Sequence, residues 1–414
     1  MKRSYLLTAL LAVTITTLPA VNANILDESY LASLRKEAAH THPATAAAAL
    51  RATAAGHDIR AVRLWDDPMV GLSIMSAEVA MRRDDGDIQV MVEQVFPRRG
   101  LYAANRGKAE AMRRAEVENS RSSNLEIGAA AAKNAIELAL ADETIAIQAD
   151  QIKWIEATAE NASQRAANPG GSAIETLRLE SELARESQIL ESAKRTRDSL
   201  ARALNLSLGR PLESPWPTLR LPDSPPPVPV GTAEIARISR SNPKVRAMIE
   251  TANAASAETR IADRERQPEV SVGVEANLYS GGDYRSTMVG VKMTLPWFNE
   301  PSYTARTKAA QTREQAASLD VKTMHREVAA QVLASSNEAA NAAAQARAYG
   351  GDVYNRTLDA SKSVEAAWIN SRATITDLLE AQRMLFSIRL EQRRFIAMQQ
   401  AALEELHTLV PTRR

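Results

Sequence analysis

The chain has 414 residues, no cysteine, 4% aromatic residues and 24% charged ones. Lys and Arg number 51 against 50 Asp and Glu, which excludes the basic excess expected of a nucleic-acid binder. Abundant alanine with few aromatics suits long, closely packed helices better than a compact enzyme core.

Taken from its start, the chain opens on Met1-Lys2-Arg3-Ser4, a short basic segment. An apolar stretch follows from Tyr5 to Ala20, then Val21-Asn22-Ala23, a small-x-small pattern. This is the layout of a secretory signal peptide, 1–23, with cleavage expected near Ala23. Its apolar part falls short of the ~20 residues that a spanning helix needs. Without Lys2 and Arg3 the charges stand at 49 basic against 50 acidic. An exported chain without cysteine needs a large core in place of disulfides, and it offers no N-terminal cysteine for a lipid. No later apolar run approaches a spanning helix, so a membrane role would rest on β-strands or surface contact.

The main body repeats itself. Shifted by 200 positions, Pro43 meets Pro243, Ala47 meets Ala247, Ala52 meets Ala252, Arg60 meets Arg260, Pro68 meets Pro268 and Val70 meets Val270. The alanines carry little weight in an alanine-rich chain. Two prolines at identical spacing carry more. Each unit opens a helix at His42-Pro43 or Asn242-Pro243, where proline suits the first turn. That helix must end before Pro68 or Pro268, since the residue before proline is pushed out of helical geometry.

Strands follow directly. Val270, Val272, Val274, Ala276 and Leu278 alternate with Ser271, Gly273, Glu275 and Asn277, the period of a strand with one apolar and one polar face. Val289, Val291, Met293 and Leu295 alternate with Gly290, Lys292 and Thr294. In the first unit Val70, Leu72 and Ile74 precede Ile88, Val90 and Val92, which are set against Gln89, Met91 and Glu93. The expected strands are about 69–79, 87–96, 269–279 and 286–295, with turns at Asp84-Asp85-Gly86-Asp87 and Ser280-Gly281-Gly282-Asp283.

Long helices come next, at about 103–167 and 172–208, then 302–369 and 372–409. Ala103 to Ala167 has no proline, and unbroken would reach roughly 95 Å, too long for a compact domain. The first helical pair reverses at Asn168-Pro169-Gly170-Gly171, the second near Asn370-Ser371. Gly350-Gly351 inside the third long helix suggests a break, at a cost on the order of 2 kcal/mol of helix stability. The units span 24–210 and 231–414, joined by a Pro-rich connector, 211–230, expected to be extended with little regular structure.

Amphipathic strands of about ten residues fit a barrel with lipid outside and water inside. Four strands cannot enclose a channel, but strands pooled from several copies can, and closure removes the open edges that lipid forbids. The fold expected is therefore mainly α with a membrane β-barrel, the helices extending the wall of the tube.

The doubled His/Asn-Pro helix ending at Asp67-Pro68 or Gln267-Pro268, each followed at once by a strand, resembles the TolC family of outer-membrane efflux proteins. Val95-Phe96-Pro97 and Thr294-Leu295-Pro296, each leading into a long helix, add to the resemblance, as does Thr374-Ile375-Thr376-Asp377-Leu378-Leu379-Glu380-Ala381-Gln382-Arg383. Within that family the short tail and the Pro97-Arg98-Arg99-Gly100-Leu101 segment resemble the heavy-metal, CzcC-like branch. The resemblance implies a homotrimer in the outer membrane, with a twelve-strand composite barrel and an α-helical barrel crossing the periplasm. It implies docking to a periplasmic adaptor and an inner-membrane pump of the RND type. The chain would be the exit duct of a tripartite efflux system for small molecules or metal ions. An outer-membrane component of a protein secretion system remains an alternative, as do a periplasmic adaptor and a structural coiled-coil protein.

The resemblance places Asp377 and Glu380 at the periplasmic mouth. Three residues apart, they share one helix face, and three copies would crowd carboxylates round one axis and favour cations. In the first unit the matching position is Thr176, beside Glu175, a further candidate for the constriction. Gly170, Gly171 and Ser371 are the turn positions; family members usually have glycine where Ser371 stands. Glu275 and Lys292 would face the water-filled lumen. His40 and His42 form a near pair, but a metal site needs three or four convergent ligands, and they read as surface residues before a helix. Met69, Met75, Met81 and Met91 read as strand packing. No phosphate loop, nucleophile elbow or zinc-protease motif appears in the sequence, so neither an enzyme, a cofactor nor a resident metal is expected.

Overall fold

The computed structural model describes residues 24–74, 86–167, 173–226, 241–279 and 282–409. The expected signal peptide, the turn at Gly170-Gly171, Met75, Met81 and residues 227–230 of the connector lie outside the described residues.

A helix that the sequence reading passed over comes first. Helix α1, Glu28–Thr41, is capped by Asp27, whose carboxylate accepts the Tyr30 N–H at 2.7 Å. Leu31, Leu34 and Ala38 are its buried face, a 3.6-residue period visible in the sequence but lying before the repeat. Helix α2, Pro43–Ala61, follows at once, with the His42 ring accepting the Ala44 N–H at 3.2 Å. The corresponding helix of the second unit is α5, Pro243–Arg264, where Asn242 accepts the Lys244 N–H at 2.8 Å. The repeat thus extends to its caps: each unit places an acceptor side chain just ahead of proline at the first helical position.

The long helices are α3, Leu101–Ala166, and α4, Ala173–Ser207, in the first unit. Helix α3 has 66 residues, or about 100 Å. In the second unit the single helix expected over 302–369 is two: α6, Glu300–Gly350, and α7, Asp352–Ile369, followed by α8, Ile375–Leu409. Gly351, at φ −110° and ψ −112°, leaves helical geometry between them. A Cβ on Gly350 would stand 2.3 Å from the Gln392 amide nitrogen, so a larger residue there would displace the end of that side chain on α8. Helix α3 has no such break.

One core ties these parts together. Ala131, Ala132, Ala135, Leu138 and Ala139 of α3 are fully buried against Leu204, Leu208 and Ile396. Alanine at these positions lets helix axes approach closely. The connector is less irregular than expected. Leu219–Arg220 forms a strand, β4, parallel to the short N-terminal strand β1, Asn24–Ile25. Trp216, Leu219 and Leu221 are buried in the same core. Two acids in the middle of α3 hold this strap: Asp142 accepts the Leu219 N–H at 2.8 Å, and Glu143 the Leu221 N–H at 2.9 Å. The edge of β4 turned away from β1 thereby satisfies its buried N–H groups.

At the far end from α4 and α8 lies a four-stranded antiparallel sheet. Its strands are β2 (Met69–Ile74), β3 (Gly86–Phe96), β5 (Val270–Tyr279) and β6 (Tyr284–Met293), in that spatial order. The last strand ends two residues earlier than expected, because Pro296–Asn299 forms a 3-10 turn and Leu295 already precedes it as its cap. The two hairpins meet at β3 and β5, so the repeats join into one sheet. β2 and β6 are its outer strands.

Candidate pore mouth and barrel wall

Register assigns every described strand residue to a face. Val70, Val92, Val274 and Val289 stand side by side across the four strands, and so do Gln94, Val272 and Val291 across three. With Leu72, Ile74, Ile88 and Val90 they make one nearly continuous apolar face. Val70, Leu72, Ile74, Val92, Val274, Val289 and Val291 are all exposed large apolar side chains. A contiguous apolar surface of this kind marks a site of contact with protein or membrane.

The opposite face carries Glu275 and Lys292, together with Gln89, Glu93 and Ser271. The Lys292 ammonium meets Glu93 Oε2 at 2.5 Å, and the Ser271 hydroxyl donates to Glu93 Oε1 at 2.6 Å. The Gln89 amide donates to the Glu275 carboxylate. Glu93 appeared in the sequence only as a polar alternate of its strand. Its partnership with Lys292, 199 positions away, depends on the pairing of the two hairpins, which local pattern does not specify.

The other candidate residues lie at the opposite end of the long helices. Ser371 is at φ 60°, the left-handed region. Its N–H donates to Trp368 O at 2.9 Å, and the Arg372 N–H to Ala367 O at 2.8 Å, which is the Schellman pattern of helix termination. The turn adopts the conformation that glycine would favour, with serine in it. The Ser371 hydroxyl accepts from Arg165 at 3.0 Å, and the Arg165 guanidinium lies 4.7 Å from the centre of the Trp368 ring.

Asp377 has a local task that its spacing from Glu380 did not reveal. It is the third residue of α8, and its carboxylate accepts the Thr374 N–H at 2.9 Å and the Thr374 hydroxyl at 2.7 Å. The Asp377 N–H returns a bond to that hydroxyl at 3.2 Å. This is a capping box. The Thr374 hydroxyl and amide hold the Asp377 carboxyl below its ordinary pKa. Glu380 is exposed one turn on, and Glu175 is half-buried in the first turn of α4. The starts of α4 and α8 lie together, since Arg178 donates to the Thr376 hydroxyl at 2.5 Å.

One step further from the tip, Glu182 is buried and accepts two bonds from Arg383, at 2.8 and 2.6 Å, and one from Arg185 at 2.7 Å. Burial works to raise the Glu182 pKa, but these guanidinium hydrogen bonds outweigh it and hold the carboxyl low. Burial raises Glu186 beside it. Arg383 belongs to the segment that carried the family resemblance, yet nothing in the sequence pointed to Glu182 as its partner.

His42 spends its Nδ1 on the helix cap, and among the described residues no further ligand group gathers round His40 and His42. A different group, Glu28, Glu404 and His407, puts one ligand atom each within 4.8 Å of the others. Arg35 already bridges it, bonded to Glu404 Oε1 at 2.6 Å and to Glu28. The guanidinium supplies the positive charge that a cation would bring.

Residues 235–410 match the family model described as outer membrane efflux protein. No curated protein matches the chain. Among solved structures, CusC, described for its folding and transmembrane channel formation, is similar at a TM-score of 0.79 and 14% identity, over 96% of this chain and 95% of CusC. The outer membrane protein VceC of Vibrio cholerae has a TM-score of 0.76 at 17% identity, over 92% of this chain and 96% of VceC. The open state of the Neisseria gonorrhoeae MtrE outer membrane channel has a TM-score of 0.74 at 18% identity, over 92% of this chain and 88% of MtrE. At these identities the likeness establishes a shared fold.

Proposed function

Because residues 235–410 match the outer membrane efflux protein family model, we propose that the chain is one subunit of a trimeric exit duct in the outer membrane. The observation that carries this reading is the sheet. It is apolar on one face and polar on the other, and β2 and β6 are its outer strands. Three copies would pair β6 of one with β2 of the next and close a twelve-strand barrel, with lipid against the valine face and water against Glu275 and Lys292. Helices of about 100 Å would carry the wall across the periplasm. The family resemblance supplies a periplasmic adaptor and an inner-membrane pump, of the RND type, as partners. Small molecules or metal ions are the cargo class, and the protein works as a duct rather than as an enzyme.

The reading places the periplasmic mouth at the starts of α4 and α8, with Asp377, Glu380 and Glu175 around it. Three copies of each would form a negatively charged ring. Carboxylates sharing one axis repel each other, and a multivalent cation relieves that repulsion. The hydrogen bonds from Thr374 favour the charged form of Asp377. Purified protein in planar bilayers should therefore show discrete conductance that is blocked by multivalent cations added on the periplasmic side. Replacing Asp377 by Asn and Glu380 by Gln should remove the block while trimers still form, since the barrel lies at the other end of the helices. A block of undiminished strength in the double variant would make these residues an ordinary solvated face.

A further inference from the structure

Among the described residues the polar face of the sheet carries few charges, and their pairing is unequal. Resting on the barrel proposed above, we infer that Glu275 sets the ionic preference of the outer half of the channel, and that Lys292 and Glu93 as a pair add no net charge to it. Lys292 is cancelled in place: its ammonium sits 2.5 Å from Glu93 Oε2, and Ser271 occupies the other Glu93 oxygen. Glu93 is nearly buried beneath them, 7% exposed, so the pair adds no net charge at its level.

Glu275 stands differently. Register sets it between Met91 of β3 and Met288 of β5's other neighbour, β6. The partner of its carboxylate is the neutral amide of Gln89. A neutral donor orients a carboxylate without removing its charge. Among the described strand residues it is in this sense the uncompensated charge in the middle of the polar face. Nearer the hairpin turn, Arg285 lies 5.8 Å from the centre of the Tyr279 ring, and Asp283 two residues before it carries the opposite sign. Four residues separate Glu275 from Tyr279, about 13 Å of strand, so that rim acts at a separate level.

In a trimer, three Glu275 carboxylates would form one ring of charge. The lumen of a twelve-strand barrel is wide, so salt governs how far this ring is felt. The screening length is about 30 Å at 0.01 M and about 10 Å at 0.1 M. The preference for cations should be clear at the lower concentration and fade at the higher.

The test is the reversal potential of single channels under a potassium chloride gradient near 0.01 M. The periplasmic mouth contributes equally to every variant compared, so differences report the barrel. Glu275→Gln should move the reversal potential toward zero, and Glu275→Asp should leave it near the wild type. Glu93→Gln should release Lys292 and shift the potential toward anions. Lys292→Met should release Glu93 and shift it the other way. The chain has no cysteine, so Glu275→Cys can be modified after the channel has assembled, which sets aside any effect of the substitution on folding. A sulfonate-bearing thiol reagent should restore cation preference, and a trimethylammonium reagent should reverse it. Open channels whose reversal potential ignores both the Gln variant and both reagents would overturn the inference. An absence of channels in the wild type would instead overturn the duct itself.

Discussion

Replacing Arg35 by methionine is expected to lower folding stability by about 3–5 kcal/mol, the loss typical when one partner of a buried ion pair is removed. Arg35 of α1 holds Glu404 of α8, whose side chain is 1% exposed, and Glu28 at the surface. The second Glu404 oxygen, Oε2, is buried with no hydrogen-bond partner. Burial pushes the Glu404 pKa above the ordinary carboxylate range, and the charge and hydrogen bond of Arg35 oppose it. Without Arg35 the pKa should climb further. A carboxyl whose folded pKa is raised binds a proton that the unfolded chain has released. Stability therefore falls as pH rises from the ordinary carboxylate range through the folded value. The Arg35→Met loss should accordingly shrink on acidification, and Glu404→Gln should recover much of it at neutral pH. Thermal unfolding across pH measures both. A variant as stable as the parent at neutral pH would show that Glu404 is already neutral in the fold.

The second large effect concerns the valine face. Val274→Arg would put a cation mid-strand, between Val92 and Val289, where lipid is proposed. The cost expected is about 2–4 kcal/mol at mid-bilayer, read from denaturant unfolding in lipid vesicles and from a loss of assembled protein. Glu275→Gln, one residue along and on the other face, should be mild in the same assay. Spin labels give an independent reading of the register. Position 274 should report lipid and position 275 water, and the reverse would place the barrel inside out.

Much of this architecture could be read from the sequence because its signals are local or periodic. Alternation along Val270 to Leu278 marked both a strand and its faces. The prolines at 43 and 243 marked where helices start, those at 68 and 268 set a limit that the helices end short of, at Ala61 and Arg264, and Gly350-Gly351 marked the break between α6 and α7. Signals that depend on long-range meeting were hidden. Asp142 and Glu143 lie in an ordinary helical stretch and gain their meaning when the connector, 77 and 78 positions on, lays its backbone against them. Glu93 with Lys292 and Glu182 with Arg383 are pairs of the same kind, formed between the two repeats. The capping role of Asp377 was hidden for a different reason. The spacing to Glu380 suggested a shared face, while Thr374 three residues before it was the sign of a capping box. The turn at Ser371 shows that a left-handed position does not require glycine when backbone bonds on both sides hold it.

A duct built from this chain requires several copies to close one barrel. Four strands in one chain leave β2 and β6 each with an outer edge of backbone donors and acceptors that lipid cannot satisfy. The measurement that tests this most directly is the mass of the protein extracted from the outer membrane in mild detergent, taken together with its strand content. Three copies per particle, falling apart on heating with loss of strand signal, is the expected result. A monodisperse single chain that keeps its full strand content would contradict it.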